Sequence, residues 1–331
     1  MARKPIASIL PGTAGNLRFL ADRLRAGHLV GVPTETVYGL AADALNARAC
    51  RKIFVAKGRP ASDPLIVHIA ELADLAKIAV PNQPALTLAK AFWPGPLTLV
   101  LPRTGIVPAL VSAGLPSVAV RMPAHPLFRR LLKLTGRPLA APSANPFGYI
   151  SPTTAAHVHA SLGARIGHIL DGGPARIGLE STIVDLRDPS RPRLIRPGAI
   201  SRAELSRVLG RPVLLPERVL ARPGARIAPG LFKRHYSPRT SLTLHRRFSA
   251  SLIARGKSDE AWLFIAKPAG PLAKNIFWLD ARGDLRGVGR RLFARLRALD
   301  VAGYRRIHVE SATGDGAADA INDRLRRAAA R

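Results

Sequence analysis

The chain has 331 residues, 47 % hydrophobic and 22 % charged, a balance that supports a sizeable buried core. A single cysteine, Cys50, excludes internal disulfides and any multi-cysteine metal site, and no apolar run reaches the roughly 18 residues of a membrane span. Lysine and arginine number 51 against 21 acids, a formal net charge of +30 spread along the chain rather than gathered into an arm or tail. Such an excess attracts phosphates and polyanions, or records only a general preference for arginine.

The N-terminal MARKPIASILPG is basic and then apolar. Its apolar run stops at Pro11–Gly12, so it reads as the lead-in to a first helix and not as a signal peptide. HLVGVPT (28–34) reads as a strand running into a turn. Residues 46–56 read as a helix with Asn46 as N-cap. PLIVHIA (64–70) is a β-branched strand, and LADLAKIAV and PALTLAKAF carry helical spacing. LTLVLP (97–102) and SVAVRMP (117–123) are strands, and RPLAAPSAN (137–145) is a short strand ending in a turn. IGHILDGGP (166–174) is a strand closed by Gly-Gly. STIVDL (181–186) and RPRLIRPG (191–198) form a strand pair, and SRAELSRVLG (201–210) is a capped helix ending at Gly210.

Residues 213–240 are rich in proline and glycine and lack periodicity, as a linker does, yet they carry FKRHY (232–236). Beyond them, SLTLH (241–245), AWLFIAK (261–267), IFWL (276–279) and RIHVE read as strands, and 284–299 and 317–330 as helices. The expected organisation is a catalytic α/β domain at 1–212, a linker at 213–240 and a smaller C-terminal α/β domain of Rossmann-like type at 241–331.

The candidate chemistry follows the strand ends. In VPTETVYGLAAD (32–43) two threonines flank Glu35. In KGRPASDPLIVH (57–68), Lys57 and Arg59 on an extended backbone face one way, and two adjacent cations suit a polyphosphate. His68 sits mid-strand among apolar residues. Arg121 interrupts an apolar strand, where a buried guanidinium needs an anionic partner, either a ligand carboxylate or a protein acid. PSAN (142–145) and Ser151 place small polar groups and backbone amides in a turn suited to phosphate oxygens. Ser181 opens one strand and Arg196 ends its partner. Ser-His-Asp order, H-E-x-x-H, a Walker loop and G-x-G-x-x-G are all absent from the sequence. Many cations and hydroxyls with few acids suit phosphoryl or nucleotidyl transfer, which works by positioning and charge stabilisation.

The ordered segments PTETVYGL, KGRP-x-x-x-PLIVHI, FWPGPLTLVL, VAVRMPAHP, APSAN, GLESTIVD and IRPGAI resemble the YrdC/YwlC-like threonylcarbamoyl-AMP synthases over about residues 10–200. The linker element APGLFKRHYSP (228–238) and the C-terminal region are similar to those of the longer, two-domain members. The resemblance implies a YrdC-like twisted open sheet around a large concave basic cavity. It implies that threonine and bicarbonate form a carbamate that attacks the α-phosphate of ATP, releasing pyrophosphate. The product would serve N6-threonylcarbamoyladenosine synthesis in tRNA, in the cytoplasm and away from membranes, completed by downstream threonylcarbamoyl-transferase proteins. Contact of this chain with tRNA is left open.

Carried over residue by residue, the resemblance places L-threonine on Thr36, His68, Arg121, Ala141 and Ser181. It places ATP on Arg59, Asp63, Ser117, Ser143, Asn145, Ser151, Arg196 and Tyr236, with Lys57 and Arg59 as a catalytic phosphate clamp. Mg²⁺ is expected on the ATP phosphates, with no protein metal ligand. Asp63 departs from the family's usual asparagine, and an acid near phosphates needs a cation beside it. Ser117 stands where threonine is common and keeps the hydroxyl. Tyr236 reaching over the cavity would make the linker a lid that excludes water. The competing readings are a basic RNA-binding module without catalysis and a carbamoyl-adenylate-forming enzyme, whose zinc-finger and acylphosphatase-like segments are missing here.

Overall fold

The computed structural model describes residues 6–215, 227–230, 232, 235–254 and 257–330. Part of the linker expected at 213–240, including Lys233 and Arg234, lies outside the described residues. Along the chain the first region runs β1 (Ser8–Pro11), α1 (Ala14–Arg25), β2 (Val30–Val32), β3 (Gly39–Asp43), α2 (Ala47–Lys57), β4 (Ile66–His68), α3 (Leu75–Ile78), α4 (Gln83–Phe92), β5 (Leu97–Pro102), β6 (Ser117–Arg121), α5 (Pro126–Thr135), β7 (Leu139–Ala140), α6 (Ala155–Leu162), β8 (His168–Asp171), β9 (Thr182–Asp185), β10 (Arg193–Arg196) and α7 (Arg202–Leu209). The second region runs β11 (Ser241–His245), α8 (Ala250–Ala254), β12 (Glu260–Ala266), β13 (Ile276–Asp280), α9 (Leu285–Asp300), β14 (Arg306–Glu310) and α10 (Ala317–Ala329).

The first region forms one ten-stranded mixed sheet in the order β1-β8-β2-β3-β7-β4-β6-β5-β9-β10, and the second a four-stranded sheet in the order β11-β14-β12-β13. Every pairing in the smaller sheet is parallel. This is the mixed α/β architecture expected from the alternation of elements.

Local signals explain several boundaries. Asn46 caps α2 by accepting from Ala49 N, and Gly58 closes the helix in the left-handed conformation that glycine adopts without strain. Ser201 and Glu204 form a reciprocal capping box on α7, which ends at a left-handed Gly210. The N-terminal lead-in to the first helix contains a strand. Residues 8–11 form strand β1, paired in parallel with β8, and the helix begins only after Thr13 caps it. The segment does lead into the first helix, and it adds an edge strand that the apolar run alone did not announce.

The sheet is covered on both faces, but not evenly. On one face α2, α4, α6 and α7 pack over most of its width. On the other, α1 and α5 cover β2, β3, β7 and β8 through Leu17, Leu20, Leu24, Phe128 and Leu131. Over β4, β6, β5, β9 and β10 that second face carries instead Ile227 and Ala228, packed on Ile66, Val100, Ala119, Ile183 and Ile195. The cavity described below sits there, where helix cover stops and linker residues take over. No described helix is long and apolar enough to cross a membrane.

Candidate active site

Period-2 alternation sets the floor of the site. In β6, Val118 and Val120 enter the core, so Ser117, Ala119 and Arg121 point to the opposite face. Pairing of β4 with β6 sets His68 directly beside Arg121. The cavity on this face is lined by Thr34, Thr36, Arg59, His68, Arg121, Ala141, Ser143, Glu180, Ser181, Arg196, Pro229, Gly230, His235 and Tyr236.

Arg121 is 4 % exposed and fully engaged on one side. Its Nε donates to Gly95 O at 3.2 Å, Nη1 to Thr36 Oγ1 at 3.0 Å and Nη2 to Glu35 Oε1 at 2.5 Å. The protein acid is therefore present, and it uses only part of the guanidinium: among the described residues one N–H on each of Nη1 and Nη2 is left over. Burial works to raise the Glu35 carboxyl, but the charge and hydrogen bond of Arg121 outweigh it and hold the pKa below the usual range. His68 is pushed down to about 3, chiefly by burial and then by Arg121, so its ring is neutral at physiological pH. Its Nδ1 is buried without a hydrogen-bond partner among the described residues.

At the other side of the cavity, Arg196 donates from Nε to Ser181 O at 3.1 Å and from Nη2 to Ser181 Oγ at 3.1 Å. Ser181 Oγ also meets Thr98 Oγ1 at 2.7 Å. Arg59 donates to Asp63 O and Pro64 O and pairs with the Asp63 carboxylate at 2.9 Å. The acid that replaces the expected asparagine thus has its cation beside it. Tyr236 projects between these groups with a left-handed φ of 61°, uncommon for a non-glycine residue. Its hydroxyl is buried without a hydrogen-bond partner among the described residues, and burial pushes its pKa up to about 12. A Cβ at Gly230 would lie 2.8 Å from that hydroxyl, so the close approach needs glycine there.

Two expectations change. Lys57 and Arg59 do not lie on an extended backbone, because Lys57 is the last residue of α2 and Gly58 turns the chain. The Lys57 ammonium is buried behind the lining and donates to the carbonyls of Ser143 and Asn145, the second at 2.5 Å. Burial, then Arg59, holds its pKa well below the ordinary lysine value. Lys57 therefore staples the PSAN turn. The Asn145 side chain turns to Pro146 O and Tyr149 O, both at 2.8 Å. Ser117 is buried and is not among the lining residues, with no hydrogen-bond partner for its hydroxyl among the described residues. Ser151 stands one hydrogen bond behind the lining, donating to Glu180 Oε1 at 2.5 Å. The cavity is also smaller than expected: the lining side chains enclose only about 40 Å³, room for a few waters.

Glu35, Glu180 and His235 are site residues that the sequence reading did not single out. The signal for the two acids is their place inside the motifs PTETV and GLEST, where a buried carboxylate must sit beside a cation. Size does not mark the site. A groove of about 1080 Å³ between α2 and the β1–β8 edge holds Arg48, Arg51, Lys52 and Arg165, but none of the candidate residues.

The fold is shared with Escherichia coli YciO, which superposes with a TM-score of 0.52 over 58 % of this chain and 96 % of that one, at 20 % identity. A family profile described as "Telomere recombination", of Sua5, YciO and YrdC proteins, matches residues 22–198. One described as "Threonylcarbamoyl-AMP synthase, C-terminal domain" matches 200–330. Threonylcarbamoyl-AMP synthase of Pyrococcus abyssi is 42 % identical over 322 residues, 94 % of this chain and 93 % of that protein. The Bacillus subtilis enzyme is 39 % identical over 318 residues, 93 % and 91 %. The crystal structure of P. abyssi Sua5 complexed with L-threonine superposes with a TM-score of 0.87 at 38 % identity, covering 98 % of this chain and 96 % of that one. The chain belongs to the threonylcarbamoyl-AMP synthase family.

Proposed function

We propose that this chain condenses L-threonine, bicarbonate and ATP into threonylcarbamoyl-AMP and pyrophosphate, a nucleotidyl transfer serving N6-threonylcarbamoyladenosine formation in tRNA. The observation that carries the reading is the convergence of Arg121, His68 and Thr36 with Arg59, Arg196, Ser143 and Ser181 on one buried cavity. Family membership supplies the substrates, and the geometry distributes them. Arg121 takes the threonine carboxylate through the donors Glu35 leaves unused. The neutral His68 offers Nδ1 as a hydrogen-bonding group to the threonine side chain. Ala141 contributes backbone. Arg59, paired with Asp63, and Arg196 face the nucleotide together with Ser143, with Ser117, Asn145 and Ser151 in support.

In the reaction the threonine amine adds to bicarbonate with loss of water, giving a carbamate. A carbamate oxygen attacks the α-phosphorus, and the bond to the bridging oxygen breaks as pyrophosphate leaves. Fixed cations at the phosphates stabilise the charge that develops, and enclosure excludes water from both labile species. The nearby acids Glu35, Asp63 and Glu180 are each paired with arginine. This donor set does not suit a protein-held metal, so Mg²⁺ belongs to the reading only as the counterion that ATP carries.

Because pockets for drug-sized ligands run to about 300 Å³ or more, the enclosed space requires Tyr236 and residues 227–230 to move before ATP enters. They act as the lid of a domain spanning 1–212, with 213–240 as linker and 241–331 as C-terminal domain. A cytoplasmic setting and hand-over to separate threonylcarbamoyl-transferase proteins complete the reading. A basic RNA-binding module without catalysis is not favoured, since the grouped arginines line a buried cavity and not an open surface. The test is mass spectrometry of the product formed from isotopically labelled bicarbonate. The label is expected in a threonine-containing adenylate, and an adenylate without it would refute the reading.

A further inference from the structure

We propose that Arg324, on α10 of the C-terminal region, is a positioning residue for the nucleotide side of the cavity. The inference rests on the reading above for the identity of the nucleotide. Arg324 is fully buried, 0 % exposed, inside the interface between the two regions. Its Nε donates to Glu180 Oε2 at 2.9 Å, and its Nη1 donates to Pro197 O at 2.9 Å and to Asp323 Oδ2 at 2.8 Å. Its guanidinium carbon lies 5.4 Å from the centre of the Tyr236 ring, the geometry of a cation over an aromatic face.

Each partner adjoins a residue of the cavity. Glu180 lines it, precedes Ser181 and accepts the Ser151 hydroxyl. Pro197 follows Arg196. Tyr236 lines it from the linker. One side chain from α10 therefore fixes the start of β9, the end of β10 and the aromatic cover together. Arg324 lies in the segment matched by the C-terminal profile, outside the 22–198 match that contains most of the cavity. The C-terminal region thus supplies a working part of the nucleotide wall.

The electrostatic consequence is specific. Glu180 is 6 % exposed and lines the cavity that Arg59 and Arg196 also border, its Oε1 accepting from Ser151 and its Oε2 from Arg324. Paired with Arg324, its charge is offset. Without that partner, an uncompensated buried carboxylate stands where the phosphates must come, and repels them. On the threonine side, Arg121 has its own paired acid in Glu35, and among the described residues Thr36, His68 and Ala141 make no bond to α10; only Ser181 adjoins Glu180, and its hydroxyl is held separately by Thr98 and Arg196.

The test compares ATP affinity, by calorimetry, with the KM values of both substrates in pyrophosphate release. Arg324→Met is expected to weaken ATP binding about tenfold or more, as truncating a buried charge pair does, with the KM for threonine nearly unchanged. Adding Glu180→Gln to Arg324→Met removes the stranded charge and is expected to restore most of the ATP affinity. Arg324→Lys keeps the charge but loses the fork, and is expected to weaken ATP binding by less, again without moving the threonine KM. That variant carries the test alone if Arg324→Met does not fold. Equal losses for ATP and threonine, no loss of ATP affinity, or a double variant no better than Arg324→Met would overturn the proposal. Calorimetry needs no turnover, so a wild-type chain that binds ATP but releases no pyrophosphate would sink the proposed function and leave this inference to be judged by its own readout.

Discussion

At the scale of single residues, Arg121 has two partners to satisfy: Glu35, with which it is buried, and a substrate carboxylate. Arg121→Ala is predicted to lower threonine-dependent turnover at least about 100-fold while ATP still binds. The same change strands Glu35 and is predicted to cost about 3–5 kcal/mol of stability. Adding Glu35→Gln should recover part of that stability and none of the turnover, measured by denaturant titration beside the activity assay. An Arg121→Ala variant with normal turnover would remove the proposed threonine site. Arg121 was legible in the sequence because a guanidinium in SVAVRMP can be tolerated only with an anion. The task of Lys57 was not. Its sequence neighbours suggested a phosphate clamp, whereas its contacts with Ser143 and Asn145 join residues 86 and 88 positions apart, which no local pattern reports.

At the scale of elements, the sharpest constraint is a close approach of two backbones. Gly178, at φ +80°, precedes β9, and a Cβ there would lie 2.5 Å from Gly289 O and Arg290 Cα of α9. Gly178→Ala combines backbone strain with a clash against main chain that cannot rotate away. It is predicted to destabilise by at least about 2 kcal/mol and to loosen the two regions together, seen as a lowered denaturation midpoint. By contrast, Ser201→Ala removes one half of the α7 capping box on the protein's exterior. It is predicted to cost about 1 kcal/mol and to leave activity unchanged. Elements with strong local signals were readable: β5 and β11 fall on LTLVLP and SLTLH residue for residue, and both α7 caps were visible. The sequence hid β3 because GLAAD is buried at every position and so shows no alternation. It hid β1 because the strand is defined by pairing with β8, some 160 residues further along.

At the scale of the whole molecule, the core of the second region extends onto loop residues of the first. Val37, Ile150, Leu179 and Tyr236 pack with Phe293, Leu296, Ile321 and Leu325 of the C-terminal helices. Arg297 adds bonds to Ile150 O at 2.5 Å and Ser161 Oγ at 2.9 Å. The regions are therefore expected to unfold together, with one transition by calorimetry. Stability also depends on buried imidazoles. His68 and His157 are pushed down to about 3 and about 4, mainly by burial, and His235 well below its ordinary value. These rings are neutral in the fold but titrate near 6.5 when unfolded. As pH falls below that value the unfolded chain binds protons the fold refuses. Stability is then lost by up to about 1.4 kcal/mol per pH unit for each ring. Denaturant midpoints should be level above neutrality and fall steadily toward pH 4.5; an unchanged midpoint at pH 5 would contradict the burial of these rings. Pyrophosphate release from ATP and bicarbonate, with and without L-threonine and with serine as control, reports the reaction itself. Release is expected to depend on threonine and to be weaker with serine. Release that ignores threonine, or none at all with ATP bound, would contradict the proposed reaction.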